Sequence, residues 1–350
     1  MEEADPFYTK WKTAQEVAEH LNVNGEGRTA IVTGSNSGIG YESALTLCNS
    51  GYSVICCCRS QTKAQATMEK LTAAATGSGR CTPGVVDLGD LNSVRTFVAS
   101  LQDKPIHLIL NNAGIMQLPT FQQSAQQYEM QFAVNFLGPW LLVELLKPHL
   151  RQAAAAHQVP SRVVNVASSA HYTSSFDLMP NEDMIGDPTH AEQAYTTGWN
   201  EYATSKLYQI LHARHLAEQE RGNNIVSFSL HPGVIATGLS RNAKCCSFTR
   251  LLYCFPKALY CCCCCCQGWL RTSVDQGAAS SVRACVDPAL VEVSGCYLGE
   301  DCQPKEPRLP ANFDFEKFEK RCEGLCSVGT VGRDKDTDVG GEKSLKGVLT

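Results

Sequence analysis

Tyr202 and Lys206 stand four residues apart in Tyr-Ala-Thr-Ser-Lys, and on a helix that spacing stacks a phenol and an ammonium on one face, one turn apart. A free phenol titrates near pH ~10 and exchanges protons poorly at neutrality, but a lysine charge beside it favours the phenolate. At an effective dielectric of ~20, a unit charge ~4 Å away contributes ~4 kcal/mol, a shift of roughly two or three pH units. The pair can therefore make an acid/base of a tyrosine. Two solvated residues on a helix surface would show the same spacing, so a second signal is needed.

That signal lies far upstream. Thr29 to Thr33 is a short apolar, β-branched run, followed by Gly34-Ser35-Asn36-Ser37-Gly38-Ile39-Gly40 and then by a helical pattern carried by Ala44, Leu45 and Leu47. Strand, glycine turn and helix in this order bring backbone N–H groups and a partial positive charge to a phosphate. Gly34 suits backbone angles closed to other residues, Gly38 the approach of a pyrophosphate, and Gly40 close packing of helix on strand.

The glycine spacing, Gly-x-x-x-Gly-x-Gly, resembles that of the short-chain dehydrogenases/reductases. Further family motifs follow in order over residues 28 to 300: Asp87-Leu88, Asn111-Asn112-Ala113-Gly114, Asn135, Ser168, Tyr202 to Lys206, and Pro232-Gly233 with Thr237. A closer resemblance, to the retinol dehydrogenase group and its WW-domain-containing and chloroplast-import relatives, is carried by Cys58-Arg59, Arg162 to His171, Tyr202-x-x-Ser205-Lys206-Leu207 and Leu230-His231-Pro232-Gly233-Val234. No WW module precedes the domain, so peptide binding of that kind is not expected.

In such a fold the residue closing the second strand selects the dinucleotide, because a carboxylate there binds the ribose hydroxyls of NAD and repels a 2′-phosphate. After Ser53 to Cys58 comes Arg59, which can grip that phosphate with paired, charge-assisted bonds. NADP(H) is the expected cofactor. The resemblance further implies that Asp87 and Leu88 meet the adenine, that Asn112, Ala113 and Gly114 form the floor beneath it, and that Thr237, beyond Pro232-Gly233, meets the nicotinamide carboxamide.

Hydride transfer to or from a carbonyl carbon requires a proton and neutralisation of the alkoxide from the protein, while the cofactor supplies the redox chemistry. By resemblance Tyr202 is the acid/base, Ser168 a donor to the substrate oxygen, Lys206 the holder of the nicotinamide ribose, and Asn135 the anchor of a water leading protons to bulk. Ser169 competes with Ser168, and Asn165-Val166-Ala167-Ser168 favours the latter. His171 and His231 are read as structural or pocket-lining, with no metal. The 33 residues between Ser168 and Tyr202 are read as a flap beside a lipophilic substrate or as a surface insertion; the sequence fits both.

These elements imply one α/β domain, a Rossmann-like doubly wound parallel sheet with helices on both faces. Expected boundaries are an N-terminal helical extension over 1–27, the NADP-binding domain over 28–305 and a loosely ordered tail over 306–350. Later strands are expected at His107 to Asn111, Arg162 to Ala167, Ile225 to Leu230 and Gly295 to Leu298, each short and apolar as a doubly buried strand requires. Thr13 and Glu16 form a capping box for a short amphipathic helix.

A net charge of −5 without a basic stripe argues against a nucleic-acid partner. The acidic start, Met1-Glu2-Glu3-Ala4-Asp5, lacks the apolar core of a secretory signal, and no run of eighteen apolar residues offers a membrane span. A cytoplasmic setting is expected. Nineteen cysteines, nine of them between Cys245 and Cys266, fit reduced thiols rather than a disulfide scaffold. The stretch 245–270 reads as a Cys-rich substrate lid or as a peripheral membrane contact strengthened by S-acylation. Substrates are expected to be small lipophilic carbonyls or alcohols, and the helices around Phe132 to Leu146 and Tyr202 to Leu216 are a potential homodimer face. An NADP(H)-binding scaffold with little turnover is the competing function, which an intact Asn135, Ser168, Tyr202 and Lys206 set disfavours.

Overall fold

Short apolar runs become strands in a computed structural model that describes residues 5–174, 192, 195, 197–235, 237–239, 273–310 and 314–327. They are β1 (Thr29–Thr33), β2 (Ser53–Cys58), β3 (Arg80–Val85), β4 (Leu108–Asn111), β5 (Ser161–Val166), β6 (Ile225–Leu230), β7 (Tyr297–Leu298) and β8 (Pro304–Lys305). Among the described residues they form one sheet in the order β3-β2-β1-β4-β5-β6-β7-β8. All pairings are parallel except β7 with β8. Every residue of β4, β5 and β6 is buried, which is why they read as unbroken apolar runs rather than alternations.

The expected strand ends lie within two residues of those observed. β3 was not anticipated: with Arg80, Thr82 and Pro83 exposed it carries no apolar run, and proline is tolerated because β3 ends the sheet.

Alternate residues of each strand feed opposite layers. Ile31, Ile55, Ile109 and Val163 pack beneath one set of helices, α4 (Leu91–Ser100), α5 (Gly138–His157) and α6 (Trp199–Gln219). Ala30, Val32, Val54, Leu110 and Val164 face the other layer, including α2 (Gly38–Asn49) and α7 (Val274–Val286). Helix α3 (Gln61–Ala74) links β2 to β3. Ahead of β1, α1 (Ala14–His20) carries the Thr13–Glu16 capping box, and its Ala14, Val17 and Ala18 pack on Ala278, Ala279 and Val282 of α7.

The expected loose tail over 306–350 requires a correction, because Phe315–Ser327 forms a helix, α8. Its Cys322, Leu325 and Cys326 are buried in the same core as Leu142 and Leu146. Tyr128 donates to the Leu325 carbonyl at 2.8 Å and Arg95 to that of Cys326 at 2.9 Å. Residues 328–350, most of the stretch between Ser168 and Tyr202 that reads as a flap or a surface insertion, and the stretch 245–270 lie outside the described residues. Among those described, no helix is long and apolar enough to cross a membrane.

Candidate active site

Chain crossing reverses between β1, whose next strand lies on one side, and β4, which pairs on the other. In an open parallel sheet the crevice beyond such a switch point is where ligands sit. A cavity of about 810 Å³ opens there, walled by residues that follow the carboxyl ends of β1 through β6.

The first wall is the glycine turn. Gly34 has φ +67° and a side chain there would meet Ala113 Cα at 2.9 Å, so this turn can pass so close to the β4 loop only as glycine. Asn36, Ser37, Gly38 and Ile39 line the cavity; Ser35 and Gly40 do not. Ser35 is buried, its hydroxyl donating to the Cys57 carbonyl at 3.4 Å. A Cβ on Gly40 would overlap the Asn112 amide and lie 2.5 Å from the Gly34 carbonyl oxygen. These two shape the turn from behind. α2 begins at Gly38 with no side-chain cap from Ser37 and no acidic residue in its first turn, leaving its positive end uncompensated.

Arg59 and Lys63 also line the cavity and are exposed. No hydrogen bond or ion pair engages either among the described residues. Lys63 escaped the sequence reading; its signal was the four-residue spacing from Arg59 across Ser60, the N-cap of α3. Asp87 and Leu88 follow β3 in the wall, with Asp87 Oδ1 accepting from the Gly89 N–H at 2.9 Å. Asn112 donates to the Thr33 carbonyl at 2.9 Å, and Thr33 Oγ1 accepts from the Asn112 and Ala113 N–H groups at 3.0 Å each. This ties the start of the β4 loop, at Asn112 and Ala113, to the end of β1.

Ser168, Tyr202 and Lys206 line the same cavity. Lys206 Nζ stands 5.7 Å from the Tyr202 ring centroid, as one helical turn dictates. Tyr202 is almost fully buried, packed with Met116 and Trp199. Lys206, 3% exposed, donates to the Val166 carbonyl at 2.7 Å and to Gln209 Oε1 at 3.0 Å. Burial pulls its pKa down to about 7, so the charge expected to activate Tyr202 is itself close to titrating at neutrality.

Asn135 lies behind the wall, in a π-helical turn, Ala133–Leu137. Its Nδ2 donates to the Ile115 carbonyl at 3.0 Å and Ser205 Oγ at 2.9 Å, and its Oδ1 accepts from the Ile115 N–H at 2.8 Å. Both amide hydrogens are therefore spent on holding the β4 loop against α6.

Ser168 caps a 3-10 turn, Ser169–Thr173, accepting from the Ala170 N–H at 3.1 Å. His171 Nδ1 sits 2.6 Å from the Ser168 carbonyl and must donate to it, so Nε2 accepts from the Arg308 N–H at 3.4 Å. Burial lowers the His171 pKa and keeps this neutral form. Beyond β6, His231, Pro232, Gly233 and Thr237 complete the wall. His231 is pushed to about 4 by burial, leaving a neutral imidazole. Met116, Leu118, Met130, Val134 and Leu239 add apolar lining that no sequence motif had marked.

The residues fit a dinucleotide on their own geometry: a glycine cradle that side chains would fill, an uncapped helix start for phosphate, and two cations, Arg59 and Lys63, unpaired among the described residues. Among the described residues no group of three or more His, Cys, Asp or Glu is arranged to hold a metal ion.

Residues 28–178 match the family model described as short chain dehydrogenase. The chain is 33% identical to retinol dehydrogenase 14 of Homo sapiens, over 82% of both chains. It is 31% identical to retinol dehydrogenase 11 of Mus musculus, over 81% of this chain and 80% of that one. With the chloroplastic short-chain dehydrogenase TIC 32 A of Brassica napus it shares 32% identity, over 88% and 89%. Among solved structures, the fold is shared with an NADPH-bound carbonyl reductase from chicken fatty liver, at TM-score 0.54 and 21% identity over 81% of this chain and 100% of that one. It is shared also with the Pseudomonas aeruginosa RhlG/NADP active-site complex, at TM-score 0.57 and 22% identity over 80% and 96%. The chain thus belongs to the short-chain dehydrogenase/reductase family of oxidoreductases, and within it is retinol dehydrogenase-like.

Proposed function

We propose that this oxidoreductase uses NADP(H) and acts on a lipophilic aldehyde, ketone or alcohol. One observation carries the reading: Tyr202, Lys206 and Ser168 open into the same cavity as the glycine turn and the Arg59–Lys63 pair. The names of the retinol dehydrogenase relatives, together with the apolar lining at Met116, Leu118 and Leu239, favour a lipophilic substrate.

The bound nicotinamide supplies or accepts the hydride; the chain's own residues manage the proton and the charge. In the reductive direction Tyr202 donates its phenolic proton to the oxygen that becomes the alcohol, and in the oxidative direction it receives it. The Ser168 hydroxyl donates a hydrogen bond to the same oxygen, stabilising charge as it develops. Lys206 orients the nicotinamide ribose and, when charged, favours the Tyr202 phenolate. The amide of Asn135 holds the loop carrying Gly114 against α6 and offers an oxygen lone pair to a water that relays the proton. Arg59, with Lys63 beside it, grips the 2′-phosphate, and the positive start of α2 meets the pyrophosphate.

The test follows NADPH and, separately, NADH absorbance with aldehydes and ketones of rising chain length. NADPH should be consumed preferentially, with kcat/KM rising with chain length. Tyr202→Phe should lose at least about 100-fold in kcat, as expected for removing a general acid, while still quenching on titration with NADPH. Turnover retained in that variant would refute the assigned acid.

A further inference from the structure

We propose that Gln209 is a positioning residue for Lys206: its amide oxygen holds the lysine ammonium at the cavity wall and keeps it in the charged form. The ammonium has three hydrogens to place. One goes to the carbonyl of Val166, the last residue of β5, at 2.7 Å, and one to Gln209 Oε1 at 3.0 Å. The third is left for the cavity that Lys206 lines.

Three observations single Gln209 out. It is fully enclosed, at 1% exposure; among the described residues no carboxylate shares the ammonium, and burial opposes the charge. An acceptor in that setting counts for more than one in water. Its amide nitrogen, Nε2, is buried without a hydrogen-bond partner among the described residues. Since an ammonium has no acceptor, the oxygen must face Lys206, and the amide leaves its own NH₂ unsatisfied to do so; the ammonium is what sets its orientation. Finally, the turn is pinned. The Gln209 carbonyl accepts from Asn165 Nδ2 at 3.0 Å, and Asn165 Oδ1 accepts from Asn111 Nδ2 at 2.9 Å, so α6 at this point is registered on the ends of β5 and β4.

Among the described residues, the other surroundings of Lys206 bring no competing charge. Tyr202 from its own helix is the titratable neighbour, with its ring centroid 5.7 Å away. From the β4 loop comes Gly114, where a Cβ would stand 3.5 Å from Nζ and 3.3 Å from the Asn135 oxygen; β5 contributes the Val166 carbonyl. The charge state of Lys206 therefore depends on two neutral acceptors, of which Gln209 is the one a substitution can remove. Its consequence for catalysis rests on the reading of Lys206 as the lysine that meets the cofactor.

The titration of Lys206 itself decides the proposal and needs no cofactor. In protein labelled with ¹³C-lysine, the Lys206 Cε resonance, assigned by its disappearance in Lys206→Met, is followed against pH. The wild-type midpoint should lie near 7. Removing a hydrogen bond to a charged, buried group should lower it by about one unit or more in Gln209→Met, whereas the carboxylate of Gln209→Glu should raise it. A Gln209→Met midpoint within about 0.3 unit of wild type, an error-sized change beside the expected shift, overturns the proposal. Should that variant not fold, a Gln209→Glu midpoint at or below wild type overturns it equally. NADPH titrations, read by fluorescence across pH, then give the functional arm: Gln209→Met should bind several-fold more weakly at pH 7.5 and recover toward pH 6. Equal loss at both pH values would mark a merely structural role and overturn the assignment. A wild-type protein that binds no NADPH at all would instead overturn the proposed function, leaving the NMR result to stand alone.

Discussion

Arg59 closes β2 and Lys63 lies one helical turn farther on, both exposed and both facing the cavity. The nearby carboxylates are otherwise engaged: Asp87 takes the Gly89 N–H and Asp90 takes the Asn92 N–H and the Gln126 amide. A 2′-phosphate entering here would meet two cations, and the planar guanidinium can bind it through two bonds at once. Arg59→Asp should therefore cut the preference for NADPH over NADH by about 10- to 100-fold, the equivalent of one or two charge-assisted bonds. Arg59→Lys should fall between the two. Competitive binding of the two reduced dinucleotides measures this directly, and an Arg59→Asp variant keeping its NADPH preference would remove the clamp. Arg59 was legible in the sequence because strand ends in this fold are predictable from apolar runs. Lys63 was not, since its position depends on where Ser60 starts α3. Likewise the Tyr202–Lys206 spacing was visible, but the near-neutral titration of Lys206 was hidden, because depth of burial is set by chain segments distant in sequence.

At the scale of elements, the glycine turn has a scaffold side as well as a ligand side. Gly40 takes no part in the cavity wall; it lets the first turn of α2 lie against the Asn112 amide and the Gly34 carbonyl. Gly40→Ala should force the turn and the β4 loop apart, with a destabilisation of about 1–3 kcal/mol typical of overpacking. NADPH affinity should fall as well, because Asn112 and Ala113 are held to β1 through Thr33. Thermal melting and NADPH titration on the same sample check both effects; an unchanged Tm would mean that the loops yield easily. The strands β4, β5 and β6 could be read because parallel strands buried on both faces are uniformly apolar. β3 lacked that signature, since it sits at the sheet edge with one flank open. α8 was misjudged for a different reason. Its apolar positions, Phe318, Cys322, Leu325 and Cys326, repeat at helical spacing, but composition averaged over the polar tail concealed them.

Over the whole molecule, α8 changes what surface the protein presents. Phe318 packs at 5.4 Å from Phe136 and at 5.2 Å, stacked, from Tyr208. His215 and Gln219 on α6 both reach Glu319, at 3.1 Å and 2.6 Å. These contacts lie on the helices Phe132 to Leu146 and Tyr202 to Leu216, where a homodimer face was expected from the sequence. A second copy could pack on that face only by displacing α8 and breaking its bonds to Tyr128 and Arg95. The full chain should accordingly run as a monomer at micromolar concentration in light scattering. A chain ended at Pro310 would uncover Phe136 and Tyr208 and lose the burial of Cys322, Leu325 and Cys326. Fully buried apolar side chains contribute about 1.5–3 kcal/mol each, and in a protein of this size each kcal/mol moves Tm by about 2 °C. The shortened chain should therefore melt roughly 9–18 °C lower and self-associate as the apolar face seeks another cover. A truncated protein that stayed monomeric with an unchanged Tm would show that α8 covers nothing the fold depends on.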